Sequence, residues 1–236
     1  MAHTGVDATN GAEQPVWDPT TGKFYLSIPQ IGPNAKDGAV VRISTGGNVE
    51  VQYPIAFCQP AGLTLGPNVD LLVGCNTVFD TAGNVWDPSK DVTAAPIQVI
   101  IDARTGKIDS TVAGVGAGDE VWFNSGDGNY YTASSSSPLR PTEAVSTTPA
   151  TPVTAQGAAI LGVIGARDMA LKQLVPTFNV PAVNGHPAGT AHSVAANAKN
   201  NHVFVPLPAN NAFPNCLTGC VAVYGTTANG DQRADR

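Results

Sequence analysis

Charge is scarce in this chain. Only 13% of its 236 residues are Asp, Glu, Lys or Arg, and 12 Lys and Arg stand against 18 Asp and Glu. A net charge of −6 excludes the basic surface that nucleic-acid binding requires. No run of Lys or Arg is long enough to hold an anionic membrane. The longest apolar stretch, Ala158 to Ala166, is far shorter than the ~20 residues of a spanning helix. No leader pattern opens the sequence, since Met1-Ala2-His3 runs directly into polar residues. Glutamate, a good helix former, occurs only four times. In its place stand 25 Gly and 19 Pro, the composition of a turn-rich β protein rather than a helical bundle.

A pattern recurs four times: an apolar strand, a short turn, and a second apolar strand. The first copy is Gln14 to Asp18, a turn at Thr20-Thr21-Gly22, then Lys23 to Ile28. The second runs from Pro60 to Leu65 and from Asp70 to Cys75, the third from Asp119 to Phe123 and from Asn129 to Thr132, the fourth from His192 to Ala196 and from His202 to Val205. A further hairpin follows each of the first three copies: 39–53, 97–112 and 160–175. Four antiparallel strands per unit of this length is the signature of a β-propeller blade. The expected fold is therefore all-β: one propeller domain over 11–226, with four four-stranded blades visible. The fourth unit shows only one more strand, Val221 to Tyr224, before a polar tail at 227–236. Residues within 1–10, Thr4 to Thr9 in particular, are expected to supply its missing outer strand, unless the chain is a shortened form of a larger ring. An incomplete ring would leave blade faces bare and favour a homodimer.

Turns inside hairpins are short and share one side of such a scaffold. The long connections, 29–38, 76–96, 134–157 and 207–219, share the other, where binding is expected. The stretch 134–157 is rich in Ser, Thr and Pro and reads as a flexible insertion within the third blade. Trp86 lies in a long connection and is the expected ligand contact; Trp17 and Trp122, on inner strands at matching repeat positions, are expected to pack between blades.

The positions just ahead of each inner strand are Glu13, Ala61, Asp119 with Glu120, and His192. Carboxylates converging on a channel mouth suit a hard divalent cation such as Ca²⁺. Glu13 and Asp119 are the candidate metal ligands; His192 and Glu120 are the candidates to activate water. Each of these residues has an alternative role, capping a strand end or filling a hydrogen-bonded slot.

Glu13-Gln14-Pro15-Val16-Trp17-Asp18 resembles the Glu-Gly-Pro-x-Trp opening of the gluconolactonase, regucalcin and strictosidine-synthase-like propellers. Pro60-Ala61-Gly62-Leu63 is similar to their Pro-Asn-Gly-Leu segment, and Ala191 to Ala195 with Asn201 to Val205 resembles the Pro-His-x-Val repeats of surface-layer-type propellers. This resemblance implies a six-bladed parent fold and a divalent metal held by Glu13 and by Asp119. It implies a metal-assisted hydrolase of a lactone or ester acting on a small-molecule substrate at the channel mouth. Ala61 replaces the Asn that the family uses as a ligand, so one oxygen is missing. The alternative is a non-catalytic propeller that binds a ligand or protein partner on the long-loop side.

Four cysteines, Cys58, Cys75, Cys216 and Cys220, allow three pairings. Proximity in the blade pattern favours Cys58–Cys75 and Cys216–Cys220; a zinc site is the rival. Disulfides would place the protein in an oxidising compartment, secreted or periplasmic.

Overall fold

A computed structural model describes residues 5–86, 98–115, 118–134, 160–179, 189–210, 213 and 215–225. The bulk of the Ser/Thr/Pro-rich insertion, residues 1–4 and the polar tail lie outside these.

The repeats fold as expected, into four antiparallel meanders. The first sheet is β1 (Pro15–Asp18), β2 (Lys23–Ile28), β3 (Asp37–Ile43) and β4 (Val49–Ala56), in that order. The second is β5 (Cys58–Leu65), β6 (Asp70–Val78), β7 (Gln98–Asp102) and β8 (Ile108–Val112). The third is β9 (Glu120–Asn124), β10 (Asn129–Ser134), β11 (Ile160–Gly165) and β12 (Ala170–Pro176). The fourth, among the described residues, stops at three strands: β13 (Ala195–Asn197), β14 (His202–Leu207) and β15 (Cys220–Tyr224). These are the blades of a β-propeller.

Short polar side chains close the inner hairpins. Asp18 accepts from the backbone N–H groups of Thr20 and Thr21, Asn124 from Gly126, and Asn197 from Lys199. Such local bonds let Asp and Asn take the chain out of one strand and into the next. They also mark equivalent positions: Asp18, Asn124 and Asn197 end the inner strands of blades one, three and four.

Each blade uses both faces. Strand alternation sends successive side chains to opposite sides, so Phe24, Leu71, Tyr130 and Val203 face the preceding position in the ring, and Tyr25, Leu72, Tyr131 and Phe204 face the following one. Three buried clusters are the result. Tyr25, Val40, Tyr53 and Ile55 of blade one meet Leu71, Val73 and Ile101 of blade two. Leu72, Ile100 and Val112 meet Tyr130, Ile160 and Ile164. Tyr131, Leu161 and Val175 meet Val203, Val205 and Leu207. Packing runs in chain order, and no comparable packing joins the fourth sheet back to the first among the described residues. The described blades form an open arc.

Residues 7–9, expected to close the last blade, sit on the first instead. Ala8 bridges Ile31, Thr9 N–H donates to the Gln30 carbonyl, and Gly32 N–H donates to that of Asp7. The β2–β3 connection offers these residues an open backbone edge nearby in the chain, whereas β15 is more than 200 positions away; Thr4 lies outside the described residues.

Cys58 joins Cys75, and Cys216 joins Cys220, which are the favoured pairings. Two disulfides fit an oxidising environment such as the cell exterior or periplasm. The first closes a loop of 17 residues and the second a loop of 4. Replacing both Cys58 and Cys75 by Ser should cost about 3 kcal/mol by loop entropy, against about 2 kcal/mol for the shorter pair. Urea unfolding of the two double variants checks this order.

Candidate functional site

The four channel-mouth positions are equivalent in the structure. Glu13, Asp119 and His192 each stand five residues before the residue that ends the inner strand, and Ala61 holds the same place before Gly66. Glu13 N–H donates to the Ser27 carbonyl at 2.9 Å, and Asp119 N–H to the Ala133 carbonyl at 3.4 Å, the same bond in two blades. Neighbouring inner strands are then stitched together: Gln14 N–H reaches the Ala61 carbonyl at 3.2 Å, and Gly62 N–H reaches the Gly118 carbonyl at 3.3 Å.

The central side chain here is Gln14, whose role the sequence reading missed. Its Oε1 accepts from Leu63 N–H at 2.8 Å and from Val121 N–H at 3.3 Å, while its Nε2 donates to the Val121 carbonyl at 3.4 Å. One amide thus satisfies backbone groups from two other blades. Glutamine suits the task because it carries donor and acceptor together. Its counterpart in blade three is Glu120, which is partly buried.

The polar candidates around it do not form a metal cage. Glu13 is exposed, Asp119 is partly buried, and the His192 ring Nδ1 sits 2.7 Å from Thr190 Oγ1. Ala61, which replaces the family's ligand Asn, is buried and has no side-chain oxygen to offer. Gly62 beside it has no room for a side chain, since a Cβ would lie 3.0 Å from Val121 N. Among the described residues, no three of His, Cys, Asp and Glu come together as a cation would require. The donor set therefore does not fit the divalent-metal site that the resemblance implies.

The tryptophans fall differently from expectation. Trp86, expected to touch ligand, is buried in the first junction among Cys58, Cys75 and Val78, with its backbone N–H donating to the Val78 carbonyl at 2.9 Å. Its loop folds back by the Phe79–Val85 bridge and carries the indole inward. Trp17 and Trp122 are one position out of step. Trp17 pairs with Phe24, whereas Trp122 pairs with Tyr131, so they point to opposite blade faces. Phe123, paired with Tyr130, is the true counterpart of Trp17.

A cleft of about 560 Å³ opens between blades three and four. Leu161, Val163, Val175 and Val203 line its apolar part; Asn129, Lys172, Gln173 and Asn201 supply polar groups, with Tyr131 and Tyr224 beside them. Among the described residues blade four has three strands against the four of blade three, so none lies opposite β12 and the outer edge of β15 is unpaired. The lining runs along β10, β11, β12, β14 and β15, from Asn129 and Asn201 beside short turns to Leu161 and Val175 near the opposite ends of β11 and β12. The sequence did contain its signal, the missing fourth strand of the last blade.

Most charge in the cleft is neutralised. Lys172 pairs with Asp168 on its own hairpin. The Tyr131 hydroxyl donates to Asp127 Oδ2 at 2.6 Å, and burial, with Asp127 adding to it, raises that phenol well above its ordinary value. Burial pushes the Tyr224 phenol up to about 12. It stays protonated at neutral pH, and its buried hydroxyl has no partner among the described residues. An unmet hydroxyl costs stability, and this one, without exposed surface, meets an acceptor in the cleft only once the Tyr224 side chain turns toward it.

No family model matches this chain, and no curated protein matches it. Solved structures with similar backbones include the dihydro-heme d1 dehydrogenase NirN, at 9% identity over 82% of this chain and 32% of that one, with a TM-score of 0.44. Kuenenia stuttgartiensis hydrazine synthase is 11% identical over 96% of this chain and 65% of that one, with a TM-score of 0.40. The Swd1 β-propeller domain of Cps50 from Myceliophteria thermophila is 10% identical over 92% of this chain and 72% of that one, with a TM-score of 0.38. The chain spans less than two thirds of the length of the first two.

Replacing Gln14 by Ala should leave Leu63 N–H and both backbone groups of Val121 without their partner. The expected cost is about 2–3 kcal/mol, read as a lower urea midpoint. Gln14→Glu keeps the acceptor and loses only the donated bond, so its loss should be smaller.

Proposed function

We propose that this chain is a non-catalytic propeller scaffold that holds an uncharged ligand in the cleft between its third and fourth blades. The observation that supports this reading is the cleft itself. Its volume lies within the ~300–1,000 Å³ range of small-molecule sites, with apolar walls and a few convergent polar groups. Its chemistry favours a neutral molecule with an apolar body and a hydrogen-bond acceptor. The lysine is already paired, the amides of Asn129, Gln173 and Asn201 both donate and accept, and the unmet Tyr224 hydroxyl donates once its side chain turns toward the cleft.

A thermal-shift screen of uncharged glycosides and amides tests this. A true ligand raises the melting temperature saturably, following RT ln(1 + [L]/Kd). Tyr224→Phe should weaken it roughly tenfold, the worth of one neutral hydrogen bond, and Val163→Trp should abolish binding by filling the cleft. Binders indifferent to both substitutions, or no binder at all, would defeat the reading.

Metal-assisted hydrolysis of a lactone or ester has narrower support: Glu13, Asp119 and His192 hold one equivalent position at the channel mouth. With Ala61 in the ligand position, Ca²⁺ added to metal-stripped protein should leave its melting temperature unchanged. A saturable rise that vanishes in Glu13→Ala would instead favour the hydrolase.

A further inference from the structure

Blade faces come in matched halves, and among the described residues two halves are left over. On the face toward the preceding blade, Leu71 and Tyr130 are wholly buried and Val203 is 3% exposed, but Phe24, their equivalent in blade one, is 41% exposed. On the face toward the following blade, Tyr25, Leu72 and Tyr131 are buried, whereas their equivalent Phe204 is only partly so. The aromatic pair Phe123–Tyr130, with ring centroids 5.2 Å apart, lies beside the second junction. Its counterpart in blade one, Trp17–Phe24 at 4.6 Å, has the same tilt and faces outward. Beside Phe24 lie Leu26 and Ile43, both partly exposed, while Val41 next to them is already covered; around Phe204 lie Pro206, Val221 and Val223, the two valines more than half exposed.

We infer that these two faces mate between two copies of the chain, the first blade of each docking on the fourth blade of the other. The contact is the same junction that the chain already makes three times within itself, so its shape and apolar character need no new design. It is head-to-tail, and two copies related by a twofold axis use both faces of both chains. The product is a ring of eight blades, within the usual range for propellers. Four strands about 4.8 Å apart and five residues long cover about 300 Å² on blade one, but the three described strands of blade four match only about 240 Å² of it, so the two junctions together bury roughly 1,000 Å², the threshold for a biological interface.

Sedimentation equilibrium of the full oxidised chain between ~10 and ~100 μM, spanning ordinary interface affinities, tests this. The expected mass is twice 24.1 kDa. Phe24→Asp and Val221→Asp both alter exposed side chains, and each should weaken association at least tenfold while leaving circular dichroism and melting behaviour of the monomer intact. Mixed together, the two variants should associate more tightly than either alone, because the intact fourth blade of one can still meet the intact first blade of the other. Several results would overturn the inference: a wild-type monomer across the range, a dimer that neither substitution weakens, a mixture no tighter than its parts, or an open-ended series of larger species.

Discussion

A four-stranded sheet with two apolar faces cannot stand alone in water, and the rest of this structure follows from that constraint. Each blade buries one face on the blade before it and the other on the blade after it. The three cores are therefore interfaces between repeats, and stability is shared between neighbours rather than held in one central mass. A residue's burial depends on which face it occupies and on whether that face has a neighbour. Phe24 and Tyr130 hold the same place in their blades, yet one is exposed and the other wholly buried.

A second constraint acts at the inner strands. Adjacent blades approach there so closely that backbone meets backbone. A Cβ on Gly74, in β6, would lie 2.3 Å from the carbonyl of Gly118, just ahead of the inner strand β9, which leaves no alternative to glycine without moving the strands. Peptide groups trapped at such close quarters need partners, and Gln14 provides them across blades. Backbone satisfaction thus organises the inner strands, while a cleft opens at the last junction, where among the described residues blade four has three strands and blade three has four.

The blade pattern was legible because alternation and turn chemistry are local. Asp18, Asn124 and Asn197 announce their turns within a few residues, and the apolar runs on either side are long enough to give the strands. The cysteine pairs were legible for a related reason, since the repeat places Cys58 and Cys75 at one end of the same hairpin. Side-chain direction was harder. A shift of one residue sends a strand side chain to the other face, and Trp17 and Trp122 differ by that single step despite their similar surroundings in sequence. Trp86 read as a loop residue open to ligand, but its loop turns back on itself and buries the ring.

By itself the sequence determined the class, the number of repeated units, and the side on which short and long connections lie. These depend on periodicity, turn residues and composition, all of which act over a few neighbouring positions. Only the tertiary structure decided which polar side chains spend their hydrogen bonds on backbone, as Gln14 does, and which stay unmet, as the Tyr224 hydroxyl does. It alone decided where the first residues pair, where a cleft opens, and which two blade faces lack a neighbour. Those outcomes depend on contacts between units far apart in the chain, and no local pattern carries the distance between them.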